Sequence, residues 1–233
     1  MGYADTPIHN IPRYTVVNVA RYLSIPSGTL QAWLRGRTYQ TRDGQQFFKP
    51  LIQRPSPDFS QLSFTNLVEA HVLRVIRQDH NIKLDKVRTA LDYVESELGV
   101  SHPLAMARFE TDGVDLFVDN LDKLINVSRA GQLAMKKVFK DLLTRIEWDE
   151  QGIATRLFPN IASSKGGEQD KLLYIDPRIS FGRPTIAGTG IPTDVIVDLF
   201  NAGDEVEVIA DDYNCNPEQV YAAILFETSY IAA

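Results

Sequence analysis

The stretch Tyr14 to Gly36, YTVVNVARYLSIPSGTLQAWLRG, holds two short helical periods separated by a break. Val16, Val19, Ala20 and Leu23 recur at three- and four-residue spacing, the mark of one helix face, and Thr15 stands where an N-cap hydroxyl is wanted. Ser24-Ile25-Pro26-Ser27 interrupts that period, since proline lacks the amide donor that a helix interior needs. A second helix begins at Ser27, with Leu30, Trp33 and Leu34 as its apolar face and Gly36 as a C-cap residue. Two short helices around a tight turn predict a helix-turn-helix.

Downstream, Thr38-Tyr39-Gln40 and Phe47-Phe48-Lys49 favour strand and flank Arg42-Asp43-Gly44, whose Asp-Gly pair signals a hairpin. This hairpin would be a wing. Beyond a Pro-Ser loop, Phe64, Leu67, Ala70, Leu73 and Ile76 repeat helically, Asp79-His80-Asn81 turns, and Leu84, Val87, Leu91, Val94 and Leu98 repeat again up to Gly99. From residue 101 the pattern predicts a hairpin through Thr111-Asp112-Gly113, a helix from about Ala130 to Leu143, and strands at Arg145–Trp148 and Ile153–Phe158 around Gln151-Gly152. Ala162 to Asp170 is polar and glycine-rich and reads as a flexible linker. A strand at Leu172–Ile175, a Gly/Pro-punctuated loop or hairpin from Asp176 to Pro192, and three short helices opened by Thr193, Asp204 and Asn216-Pro217 complete the chain. No internal repeat is evident. The expected domains are therefore 1–100, DNA-binding; 101–161, an α+β middle region; 162–170, linker; and 171–233, a compact α-rich trihelical C-terminal domain.

The charge is unevenly placed. Residues 1–60 carry seven basic side chains against three acidic, whereas residues 171–233 carry three basic against ten acidic. Opposite ends predict different partners: the basic front suits phosphate and the acidic back suits protein. A single cysteine, Cys215, excludes an internal disulfide, no apolar leader opens the sequence, and no apolar run is long enough to span a membrane. A cytoplasmic location and no membrane partner are expected.

Catalytic chemistry finds little to stand on. Asp211-Asp212 and Asp149-Glu150 are adjacent acids, which face apart on any regular element. His9, His71, His80 and His102 are scattered, so neither a metal site nor a cofactor is expected. Gly188-Thr189-Gly190 fits either a phosphate cradle or a tight turn, and the absence of a following Lys-Ser/Thr favours the turn. The chain is expected not to be an enzyme.

Tyr14 to Gly36 resembles the first helices of MerR-type winged-helix regulators, with an alanine inside the first helix and Thr-Leu-x-x-Trp in the second. In that geometry the second helix enters the major groove. Ser27, Thr29, Gln31 and Arg35 would then face the bases, Gln31 or Arg35 reading them, while Arg37, Arg42 and Lys49 hold phosphates from the wing. The same spacing also fits a plain trihelical core with solvated arginines. MerR-type proteins continue into a long dimerising helix, whereas this sequence breaks at Gly99-Val100, so effector sensing is not expected.

The run IDPRISFGRPTIAGTGIPTDVI, Ile175 to Ile196, with NPEQVYAAI, Asn216 to Ile224, resembles a small bacterial domain found in antitoxins. Together with RAGQLAMKKVF and RIEWDEQGIATRLFP in the middle region, the chain resembles VapB-type antitoxins with a MerR-like N-terminal domain. The resemblance implies a PIN-like ribonuclease toxin as partner, blocked by this chain, and repression of the shared operon through operator DNA. A stand-alone MerR-like transcription regulator is the alternative. Because a PIN-like active site is acidic, an arginine is the residue suited to plug it. Arg178 and Arg183 are the basic residues after Lys171 and are the expected toxin-binding residues, unless Arg183 pairs locally instead. A homodimer is expected from the two half-sites that helix-turn-helix proteins read. Leu133, Met135, Val138, Phe139, Leu142 and Leu143 give the middle helix more apolar surface than one hairpin covers, which marks it as the dimer element.

Overall fold

The computed structural model describes residues 5–41, 44–55, 60–80, 82–159 and 171–228, and among these the fold is mainly α, with nine α-helices and four two-stranded ribbons. Thr15 caps α1 (Val16–Tyr22) by accepting from the Asn18 amide at 3.1 Å. Ser24 turns left-handed (φ 51°), the Ile25 amide reaches back to the Ala20 carbonyl at 2.8 Å, and α2 (Ser27–Arg35) starts one turn later. Tyr14–Thr15 forms β1, which pairs antiparallel with β4 (Gln61–Leu62). Between them lies the wing, β2 (Arg37–Thr41) against β3 (Gly44–Phe48), in register from Arg37 opposite Phe48 to Thr41 opposite Gly44. Its expected turn, Arg42-Asp43, lies outside the described residues.

The centre of the molecule is α3 (Phe64–His80). Ser63 and Asn66 close its N-terminus reciprocally, each side chain accepting the other's amide at 3.2 Å. Phe64, Leu67, Val68, Ala70, Val72, Leu73 and Ile76 are all buried, because α3 is enclosed rather than amphipathic. It runs through His80, so the turn comes later than Asp79-His80-Asn81 implied. α4 (Leu84–Leu98) ends at Gly99 in the left-handed conformation.

The middle region departs from the sequence-based expectation. Thr111-Asp112-Gly113 is not a hairpin turn. It lies in a π-helical turn, Phe109–Gly113, that runs into α5 (Val114–Ile125). Val114, Phe117, Val118 and Leu121 have helical spacing and are buried, which outweighs the local Asp-Gly signal, and Gly113 leaves the space that the Phe109 ring occupies. α6 (Arg129–Leu143), capped by Ser128, packs on α5 and α3 through Met135, Phe139, Leu142 and Leu143. The rings of Phe109, Phe117 and Phe139 meet edge to face at 5.6–6.3 Å. The apolar surface taken as a dimer face is therefore largely covered within the chain, with Leu133 left 63% exposed.

The hairpin β5 (Ile146–Trp148) and β6 (Ala154–Leu157) follows, its turn closed by Asp149 Oδ1 accepting from the Gln151 and Ile153 amides. The expected linker, 162–170, lies outside the described residues. Leu157 and Ile175, on either side of it, exchange both backbone hydrogen bonds (3.0 and 2.8 Å). β7 (Leu173–Tyr174) pairs with β8 (Thr185–Ile186). The helices α7 (Thr193–Ala202), α8 (Val206–Asp212) and α9 (Pro217–Thr228) close the fold, α8 starting two residues after the expected Asp204. The Gly188-Thr189-Gly190 segment is a tight turn: both glycines are left-handed (φ 84° and 75°), and the Thr189 amide is committed to the Ile186 carbonyl at 3.2 Å. One buried apolar cluster runs from Tyr14 to Phe226. Among the described residues no helix is long and apolar enough to cross a membrane.

Candidate nucleic-acid interface

Trp33, Leu30 and Leu34 bury one side of α2, and the Trp33 carbonyl accepts from the amides of Leu51 and Ile52 at 2.8 and 3.2 Å, which fixes the helix end against the chain leaving the wing. At about 100° per residue, Ser27, Gln31 and Arg35 form a stripe that starts beside Leu34 at Ser27 and turns away from the buried side towards Arg35. Gln31 and Arg35 are exposed and Ser27 is half-buried. Thr29, also half-buried, lies on the flank beside Trp33, away from this stripe. Lys49 is exposed just beyond β3. Arg37 opens β2, while Arg42 lies outside the described residues.

Gly28 belongs to the same exposed face and was not among the residues picked out from the sequence. No atom lies within 4 Å of where its Cβ would be, so packing within the chain does not require glycine there. A bare backbone on the reading face of a short helix permits close approach to a phosphate or base edge. The signal was legible as a glycine at the second position of an otherwise regular helix.

The helix-turn-helix geometry occurs twice. In the turn after α1, Leu23, Ser24 and Ile25 donate their amides to the carbonyls of Val19, Arg21 and Ala20; after α8, Tyr213, Asn214 and Cys215 donate in the same way to Ile209, Asp211 and Ala210. Ser24 (φ 51°) and Asn214 (φ 50°) make the same left-handed step. The positions matching Gln31 and Arg35 of α2 are Tyr221 (52% exposed) and Leu225 (41% exposed) of α9. Gly28 is matched by Glu218, and α8 carries Glu207, Asp211 and Asp212. The second unit thus presents acidic and apolar groups where the first presents polar and basic ones, and a DNA backbone would be repelled there.

The two units touch. Arg21 of α1 pairs with Glu227 of α9, which also accepts from Thr193 Oγ1 at 2.5 Å, and Tyr22 stacks on Phe226 with ring centroids 5.9 Å apart. Arg13 donates to the Pro177 carbonyl at 2.7 Å. Gly182, left-handed at φ 77°, lies against the buried Tyr14 hydroxyl so closely that a Cβ would clash. Burial, the largest influence, holds the Tyr14 phenol well above its ordinary pKa.

Both expected toxin-binding arginines have local partners of different kinds. Arg178 grips the buried Asp176 carboxylate with Nε (2.9 Å), Nη2 (2.7 Å) and its own amide (2.9 Å). Burial would raise the Asp176 carboxyl, but the Arg178 bonds and the Arg156 charge outweigh it and hold the pKa below the usual value. Arg183 pairs with Asp194 at 3.1 Å, where both side chains are nearly half exposed (46% and 48%). An exposed pair of this kind contributes about 0–1 kcal/mol and exchanges readily. Arg178 is therefore built into its loop, whereas Arg183 is available to a stronger acceptor. A further dyad joins His102 Nδ1 to the buried Glu69 at 2.9 Å, and that bond raises the histidine pKa.

Comparison with known proteins follows the same division. Residues 12–91 match a family described as a putative DNA-binding HTH domain, and residues 174–226 match a family described as a protein of unknown function, DUF433. The putative antitoxin VapB45 of Mycobacterium tuberculosis is 26% identical over 235 residues, covering 92% of this chain and 93% of that protein. Rv2308, an uncharacterized protein of the same organism, is 23% identical, with 93% and 90% covered. The crystal structure of Rv2018 from Mycobacterium tuberculosis superposes with a TM-score of 0.70 at 23% identity, over 92% of this chain and 98% of that one, a likeness of fold. The chain thus joins a segment that matches a putative DNA-binding HTH domain to one that matches DUF433, and along nine-tenths of its length it is similar to a putative VapB antitoxin.

Proposed function

We propose that this protein is a non-enzymatic antitoxin and autoregulator that binds operator DNA through α2 and its wing and a toxin protein through residues 171–233. The observation that carries this reading is the duplicated helix-turn-helix with opposite surfaces: Gln31 and Arg35 on one, Tyr221 and the α8 acids on the other. A regulator acting alone has no need of the second face. The MerR-like wing supports phosphate contacts from Arg37, Arg42 and Lys49, with Ser27 at the start of the recognition helix and Thr29 turned away from its exposed stripe. Two-fold operators call for a homodimer. Residues 1–100 form the DNA-binding domain in this scheme, 101–161 the middle region and 162–170 the linker to the toxin-binding domain, and the dimer contact uses a surface other than the α6 stripe that α5 and α3 cover.

The likeness to the putative antitoxin VapB45 supports a toxin as partner, and the VapB-type resemblance of the sequence implies that this toxin is a PIN-like ribonuclease. Arg183, released from Asp194, then enters its acidic site as a fixed cation, while Arg178 shapes the loop that delivers it. The protein works in the cytoplasm, where both operator and toxin are found. Native mass spectrometry of the tagged protein from its own host is the test: a co-purifying partner lost on Arg183→Glu is expected. A bare homodimer that still shifts DNA from upstream of its own gene would leave a stand-alone MerR-like regulator.

A further inference from the structure

Among the described large apolar side chains, Phe181 is the most exposed, at 87%. It sits in a backbone that a phenylalanine does not choose. Ser180, Phe181 and Gly182 are successively left-handed, with φ of 46°, 58° and 77°, although L-residues disfavour this region and adopt it singly when they do. The loop is held there from all sides. The Gly182 amide donates to Ile179 (2.8 Å) and the Arg183 amide to Ser180 (3.1 Å), Ser180 Oγ donates to the Gly190 carbonyl (2.7 Å), and Gly182 abuts Tyr14. None of these bonds uses the Phe181 side chain. For the stability of this chain, glycine at 181 would serve better.

The surroundings are equally particular. In a segment dominated by acids, Phe181 is bracketed by Arg178 three residues before and Arg183 two residues after, and Arg13 approaches the loop from the first domain, its Cδ 3.4 Å from where a Gly182 Cβ would be. Arg178 and Arg183 keep 53% and 46% of their side chains exposed. An exposed aromatic fixed in advance, with partly exposed arginines three residues before and two residues after it, has the make-up of a binding hot spot, in which the aromatic fills an apolar pocket and an arginine meets carboxylates at its rim.

We propose that Phe181 is the anchor of the toxin contact, inserted into an apolar pocket whose rim carries acidic groups of the nuclease partner, with Arg183 engaging that rim. This rests on the antitoxin reading and adds the residue that supplies the affinity. Charge complementarity selects this occupant, because Arg183 can exchange its exposed pairing with Asp194 for a partner carboxylate, which a protein with a cluster of metal-binding carboxylates offers and a basic partner does not.

The test is titration calorimetry of the full-length protein with the product of the adjacent gene, at fixed salt, for the wild type and the Phe181→Gly, Phe181→Ala and Phe181→Leu variants. The proposal expects Kd to weaken about 30-fold or more for Phe181→Gly and Phe181→Ala, and less for Phe181→Leu. Operator affinity should stay within about twofold, and Phe181→Gly should melt no lower than the wild type. Unchanged Kd in all variants would overturn the anchor and leave the antitoxin reading standing. A selective loss of operator binding or of self-association would assign Phe181 to DNA or to a second copy and overturn it as well. A wild type that does not bind the adjacent product overturns both readings.

Discussion

Gly28 and His71 show how single residues are held at a cost to the fold. Gly28 lies one position into a helix, where alanine is more stable by up to about 1 kcal/mol, and the space around it is open. Gly28→Ala is therefore expected to raise the melting temperature while weakening operator binding about tenfold, read by calorimetric melting and fluorescence anisotropy. Equal affinity with higher stability would remove Gly28 from the interface. His71 is completely buried on α3, and among the described residues neither ring nitrogen has a hydrogen-bond partner. Burial, with the charges of Arg74 and Arg145, holds its pKa well below the ordinary value, so it is neutral in the folded state. The unfolded chain binds a proton near pH 6.5 that the folded chain refuses, so stability is full above that pH and is lost as the pH falls below it. His102, raised by Glu69, acts in the opposite sense: its contribution is present below pH 6.5 and fades as the pH rises through its folded value. His71→Leu is expected to flatten the loss between pH 6.5 and 5 in denaturant titrations. The same slope in both proteins would assign it to other groups.

At the level of elements, α5 and α6 form the part that the sequence reading failed to pair. Phe139 closes the aromatic cluster between them, and Phe139→Ala should cost about 3–5 kcal/mol, measured as a shift in the denaturant midpoint; a shift below about 1 kcal/mol would mean that α6 is not packed as described. The helix-turn-helix, the wing and the hairpin around Gln151-Gly152 were legible because each combines a period with a turn residue at its end. α5 was not, because Thr111-Asp112-Gly113 supplies a hairpin signal just before a helical period that begins at Val114, and the requirement that Gly113 meets is the Phe109 ring. The apolar stripe of α6 was read correctly but assigned to a second copy, since the partner helix that covers it had not been seen. On α2, the exposed stripe of Gln31 and Arg35 could be read from the spacing of Leu30, Trp33 and Leu34. Phe181 was hidden for the converse reason: an isolated apolar residue in a Gly/Pro loop has no period, and only the backbone reveals that it faces outward. The local ties of Arg178 and Arg183 likewise depend on Asp176 and Asp194, whose positions are fixed by folding.

For the whole molecule, the central feature is one hydrophobic core carrying two helix-turn-helix units of opposite surface character, joined by Arg21–Glu227, Tyr22–Phe226 and the Tyr14–Gly182 contact. Its overall negative charge is compatible with DNA binding because the acids are scarce in residues 1–60, where seven basic side chains face three acidic ones. The central claim is that α2 reads sequence. Its most direct test is anisotropy titration of a duplex from upstream of the protein's own gene and a scrambled duplex, at one salt concentration, with the wild type and the Gln31→Ala, Arg35→Ala double variant. The wild type is expected to prefer its own duplex by about 10³-fold or more, and the double variant to lose most of this preference while retaining salt-dependent binding to both. Equal wild-type affinity for the two duplexes, or a preference that survives the double substitution, would contradict it.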